Sequence, residues 1–306
     1  MKQLIDHHVH FTGSLSNKFL NTQGLNITEK TDWNLNYHNF FEIYKTRKEL
    51  FKRLKQPMEE KYYQGTLDIA QQYFEEEIDQ FQLRVGIKPY IVSMIEAIEY
   101  FEKKHDLSDF GKLVITLISD EKGNIINCSS DILEKFFDEI NSKKAYNERI
   151  IGFDFSGPED NMDINLILKY IDAIKCYSSD LEIMVHIGEF TNIEKWQEVF
   201  RRIELLLDKN INRISHGTML WLNPKLISET EEAAVKKEQN KLLKRISDQK
   251  TIIEICPSAN FLMSPLDHVN DIPFELFQKL NINYTINTDN RTIFNTSLKK
   301  ELGLVL

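Results

Sequence analysis

The stretch Leu4-Ile5-Asp6-His7-His8-Val9-His10-Phe11-Thr12-Gly13-Ser14-Leu15 reads as a strand that runs into a loop at Gly13. Residues two apart on a strand point the same way. His8 and His10 are therefore expected on one face, and His7 and Val9 on the other. Two adjacent imidazoles repel when protonated and gain little from each other when neutral. A metal ion removes that conflict by taking a nitrogen lone pair from each. Alone, a His-x-His reads first as a pair of surface histidines in a turn, because the pair is common by chance, so the remaining ligands have to come from elsewhere in the chain.

Downstream, apolar strand-like runs alternate with helical periodicity. Strands are expected at Ile78–Val85, Lys112–Ser119, Arg149–Phe155, Leu181–His186, Asn212–His216, Thr251–Cys256 and Ile282–Asn287. Helices are expected at Tyr90–Lys104, Asp131–Ile140, Asp163–Cys176, Ile193–Asp208 and Ile272–Leu280, with a long polar helical region ending near Asp248. Counting the first, this makes eight strands separated by helices, the pattern of a closed (β/α)8 TIM barrel. No Gly-x-Gly-x-x-Gly follows a strand, so a dinucleotide-binding α/β fold has no support. Between the first and second strands lie a polar, irregular stretch, Asn17 to Tyr37, not expected in the core, and two amphipathic helices, Asn39–Leu54 and Glu59–Glu77. A connection this long over a site often acts as a lid, and a plain packing helix is the equal alternative. The organisation expected is one barrel domain over 1–306 with a helical, lid-like insertion at about 17–60.

Size and charge narrow the function. The 306 residues are 42% hydrophobic and carry 38 Lys+Arg against 47 Asp+Glu, a net charge of −9. This balance argues against a nucleic-acid polymer as partner, because that binding needs clustered cations. No apolar run reaches membrane-spanning length, and the first strand leaves no room for a leader. Cys128, Cys176 and Cys256 are widely spaced and odd in number, which fits a reducing cytoplasm. The partner expected is a small molecule; an oligomer is left open.

In a barrel of this kind the active site forms at the C-terminal ends of the strands. Those ends carry His8 and His10, Asp154 to Glu159, His186 to Glu189, Ser215-His216-Gly217, Cys256 to Asn260, and Asn287 to Asn290. Four of the chain's eight histidines lie there, which chance scattering does not explain. His8, His10, His186 and Asp289 are the expected ligands of one divalent ion, with a position open for water. A metal of this kind lowers the pKa of bound water from about 15.7 to near 7. His216 is placed to orient that water or take its proton. Glu189 is the candidate acid toward the substrate, given a raised pKa from burial.

The set His8-Val9-His10, Gly152-Phe153-Asp154-Phe155-Ser156-Gly157, His186-Ile187-Gly188-Glu189, Ser215-His216-Gly217, Glu254-Ile255-Cys256-Pro257-Ser258-Ala259-Asn260 and Asn287-Thr288-Asp289 resembles the adenosine/AMP deaminase branch of the metal-dependent amidohydrolases. The motifs come in family order from Ile5 to Phe294. The resemblance implies a (β/α)8 barrel of the metal-dependent hydrolase type with one metal, zinc first, on His8, His10, His186 and Asp289. It implies that His216 handles the water, that Glu189 protonates a purine ring nitrogen, and that Gly157 gives a backbone N–H to the base. The product is the deaminated ring and ammonia. Three departures stand out. Asn290 replaces the second of two adjacent acids, and still offers NH2 donors to the base. Thr12 stands where the adenosine enzymes carry an acid that touches the ribose. Only 17 residues follow Asp289, so the barrel is expected to be C-terminally shortened, its eighth helix short, absent or replaced. These departures keep a second chemistry in view, hydrolysis of an amide, ester or lactone by the same water, and a third reading, a non-catalytic binding relative.

Overall fold

The computed structural model describes residues 3–305 apart from 26–36, 88–89, 143, 190–192, 265, 267 and 269–270. Eight strands form one sheet in sequence order: β1 (Ile5–His10), β2 (Gln80–Gly86), β3 (Gly111–Ile118), β4 (Ile150–Ser156), β5 (Glu182–Ile187), β6 (Arg213–His216), β7 (Ile252–Ile255) and β8 (Tyr284–Ile286). All seven neighbouring pairs are parallel. β8 is short, and the ring closes one turn later. His10 N–H donates to Asp289 O at 2.7 Å, and Asp289 N–H donates to His8 O at 2.8 Å. The backbone of a proposed metal ligand thus completes the (β/α)8 TIM barrel.

Alternation along the strands explains the layering. In β2, Phe81, Leu83 and Val85 face the helices while Gln82 and Arg84 alternate with them, and all five are buried. Leu113, Ile115, Leu117, Phe153, Ile183, Val185, Ile253 and Ile255 join the same core, which the helices cover. Each such side chain contributes about 1.5–3 kcal/mol over leaving it in water.

Three features differ from the sequence expectation. The helix Asn17–Thr22 lies inside the stretch read as irregular, and it buries Phe19 and Leu20. Its cap is local: Ser16 Oγ accepts from Phe19 N–H at 2.9 Å. The remainder of that stretch, 26–36, lies outside the described residues. In β1 strict alternation fails, because the register slips between Asp6 and Val9. Two residues, His7 and His8, face the single Gln82, so His7 turns to the same side as His8. There Arg213 Nη1 lies 3.3 Å from His7 Nδ1 and donates to Gln82 Oε1 at 2.7 Å. At the other end, the short helix Leu298–Val305 follows β8 and buries Leu298 and Glu301. An eighth helix is thus present among the described residues. No helix among the described residues is long and apolar enough to cross a membrane.

Candidate active site

The ends of β1, β4, β5, β6, β7 and β8 bring the expected side chains to the floor of one cavity of about 430 Å³. Two turns are backbone-driven. β6 leaves through His216 (φ 66°) and Gly217 (φ 60°), and the residue after Thr288 is Asp289 at φ 60°. Left-handed backbone is costly for a non-glycine residue, and such strain gathers at functional sites. Here it swings the His216 ring and the Asp289 carboxylate inward.

The imidazoles meet edge to edge. His8 Nε2 lies 3.1 Å from His10 Nε2, which lies 3.2 Å from His186 Nε2. Asp289 Oδ1 is 3.4 Å from His10 Nε2 and 3.7 Å from His8 Nε2. On the far side, His186 Nδ1 faces Asp154 Oδ1 at 3.0 Å, and His8 Nδ1 faces Glu254 Oε2 at 3.2 Å. A carboxylate beside Nδ1 holds the proton there and leaves the Nε2 lone pair free. Burial drives the His8 and His10 pKa well below the usual imidazole range, so both rings are neutral. Neutral lone pairs aimed at one another repel, and a cation at their meeting point relieves that. Three nitrogens and one carboxylate oxygen are a donor set suited to zinc. The residues therefore fit a divalent metal.

Beneath this cluster sits Arg84, fully buried in the barrel. It pairs with Asp154 at 3.1 Å and with Glu254, and donates to Ser215 Oγ at 2.9 Å. Burial alone raises the pKa of both carboxylates. Arg84, together with His186 at Asp154 and with His8 and Arg213 at Glu254, outweighs it and keeps Asp154 below, and Glu254 well below, the normal carboxylate range. Glu189 is the opposite case. Burial, reinforced by Asp289, Glu159 and Asp154, pushes its pKa well above normal, so it holds a proton. Its backbone is clamped: Glu159 accepts from Gly188 N–H at 2.7 Å and from Glu189 N–H at 3.1 Å. Glu189 Oε1 lies 3.4 Å from His216 Nε2. Burial raises the Asp289 pKa to about 7.

One wall of the cavity is aromatic. The helix Tyr37–Lys52 walls the cavity with Phe40, Tyr44, Lys48 and Phe51. Thr12 lines it too, hydrogen-bonded to Tyr44. Gly157 lies against Ser119 at φ 139°, where an added Cβ would stand 2.6 Å from Ser119 O. Asn290 donates to Asp289 Oδ1 at 2.6 Å, and its own Oδ1 is buried without a partner.

The profile of the adenosine deaminase family matches residues 114–305. The chain belongs to the adenosine deaminase family. An adenosine deaminase of Clostridium acetobutylicum is 28% identical over 180 residues, which is 58% of this chain and 47% of that protein. The chain spans about half the length of the curated relatives it matches. The Arabidopsis N6-mAMP deaminase structure superposes with a TM-score of 0.72 at 16% identity, covering 99% of this chain and 86% of that one. An amidohydrolase of Burkholderia ambifaria with bound Zn gives 0.69 at 11% identity, covering 99% and 79%. These two likenesses show a shared fold.

Within this family member, all nine residues singled out from sequence line the cavity or its floor. Sequence reasoning assigned no role to Arg84, Asp154, Glu159, Glu254 or Asn260. For three of them a signal existed: Arg84, Asp154 and Glu254 are each a lone charge inside an apolar strand.

Proposed function

We propose that this protein is a metal-dependent deaminase of a purine-like base, nucleoside or nucleotide. One observation carries the reading: three histidine Nε2 atoms and the Asp289 carboxylate converge beside the buried Glu189, whose pKa burial pushes well above normal, and a fifth buried donor, His216. His8, His10, His186 and Asp289 would hold one divalent ion, and zinc suits their donors. Such an ion, when bound, supplies hydroxide near neutral pH. Glu189 gives its proton to a ring nitrogen, which draws electrons from the carbon bearing the amino group. His216 orients the attacking water or takes its proton. Gly157 and Asn290 face the base, Thr12 faces its substituent, and the helix Tyr37–Lys52, the described part of the insertion that walls the cavity, serves as a lid over them. Ammonia then leaves. Relatives described as adenosine and N6-mAMP deaminases support a purine amine as substrate. Three cysteines with no disulfide fit a reducing, cytoplasmic location.

A second reading, hydrolysis of an amide, ester or lactone, draws on Thr12 and on the unpartnered Asn290 Oδ1. The test is ammonia release by zinc-loaded protein from adenine, adenosine, AMP and their N6-methyl forms, run beside a panel of esters and lactones. Release from any purine supports the first reading. Silence on all purines with turnover of an ester replaces it by the second. Protein prepared without chelator and lacking stoichiometric metal removes both.

A further inference from the structure

We propose that Asn260 fixes His216 as an Nε2–H hydrogen-bond donor, so that His216 holds the attacking oxygen and does not take its proton. The inference rests on the deaminase reading, which leaves both tasks open to His216. Asn260 then acts as a positioning residue through His216.

A chain of hydrogen bonds links Cys256, Asn260 and His216. A backbone N–H can only donate, and that of Cys256 meets Asn260 Oδ1 at 2.9 Å. This contact settles which end of the amide is oxygen. The other end, the NH2, has two protons to place. One goes to Thr218 Oγ1 at 2.8 Å. The other faces His216 Nδ1 at 3.3 Å. A proton on Nδ1 would collide with that amide proton, so Nδ1 carries the lone pair and Nε2 carries the hydrogen. Asn260 and His216 are both buried, so no bulk water competes for the contact.

Nε2 is the atom that faces the cavity, 3.4 Å from Glu189 Oε1. With its hydrogen in place it has no lone pair left for a proton from water. A general base needs one within reach of that proton. A donor instead stabilises an oxygen where negative charge develops. The proton balance closes without His216. As the oxygen bonds to carbon, its O–H proton passes to the carboxylate of Asp289 and from there to the amino group, which departs as ammonia, while the Glu189 proton goes to the ring nitrogen that receives the π electrons.

Two measurements test this. Zinc-loaded protein labelled with 15N-histidine, read by long-range proton–nitrogen NMR with His216 assigned by its loss in H216Q, should show an unprotonated Nδ1 and a protonated Nε2. A His216 signal with the proton on Nδ1 overturns the proposal. Asn260→Asp keeps an acceptor for Cys256 N–H and one for the Thr218 hydroxyl, so a purely structural role survives it. Its carboxylate draws the proton onto Nδ1, however. The expected result is the other tautomer and a kcat lower by on the order of 10²–10³-fold, with KM little changed. N260D turning over at the wild-type rate overturns the proposal, and if N260D does not fold, the wild-type spectrum decides alone. If the wild type releases no ammonia from adenine, adenosine or AMP, the deaminase reading fails while the NMR result still judges the tautomer.

Discussion

Glu189 and Asp289 are both buried carboxyl groups, yet their expected roles differ because their neighbours differ. Glu189 faces further acids, which with burial keep its proton on. Asp289 faces the imidazole cluster, which opposes the upward push of burial. Glu189→Gln keeps the shape and removes the proton to be given. Zinc content by atomic spectroscopy should be unchanged while kcat falls about 10²–10⁴-fold, the usual worth of a general acid. Retained turnover would refute the acid role. Asp289→Ala removes one of four donors but leaves the backbone bonds that close the barrel, since His8 and His10 pair with its main chain. The variant should fold and bind zinc more weakly than the ~10–100-fold loss that follows removal of a supporting residue around a metal site. Competition with a chromophoric chelator measures this.

At the level of elements, the turn Phe11–Ser14 and the segment that follows β8 at Asn290 are fitted to each other. A Cβ on Gly13 would fall 1.8 Å from Asn290 Oδ1. The obstacle is a side chain and not backbone, so Gly13→Ala should fold with Asn290 displaced. Overpacking of this kind costs about 1–3 kcal/mol, read by denaturant unfolding. The activity loss should exceed what that stability change explains, because Asn290 also bonds the Asp289 carboxylate. Unchanged kcat/KM in G13A would mean that Asn290 has no part in the site. The slip in β1 is a second fit between elements. It sends His7 and His8 to one side, where His7 meets Arg213 and His8 meets Glu254.

Across the whole molecule, one ionic floor ties the barrel together. Arg84 comes from β2, Asp154 from β4 and Glu254 from β7, and all three are wholly buried. Arg84→Met strands two carboxylates in the interior, and breaking a buried pair in this way costs about 3–5 kcal/mol. Denaturant titration of the variant checks this, and a loss below about 1 kcal/mol would count against the network. The proposed metal site bridges the same structure differently, joining β1 to β5 and to the residues after β8. A ligand that binds only the folded state at 1,000 times its Kd adds about 4 kcal/mol. Chelation should therefore lower the Tm of zinc-loaded protein, and an unchanged Tm would argue that these side chains share no ion.

Much of this was legible in the residue order. Strand periodicity and the run of eight βα units are local, so the barrel and the polar residues at its strand ends could be read from the chain directly. The barrel then brings those ends together, which is why His8, His10, His186, His216, Glu189 and Asp289 could be grouped without coordinates. The helix Asn17–Thr22 was missed because its apolar content is two residues, Phe19 and Leu20, packed by distant partners. What the sequence determined by itself was which side chains stand at the rim. Only the tertiary structure decided what lies beneath and beside them: Arg84 between two carboxylates, Asn290 against Gly13, and Asn260 on the His216 ring. Those contacts join residues up to 277 positions apart, as Ser14 and Arg291 do, and no periodicity along a chain encodes a neighbour that exists only after the sheet has closed on itself.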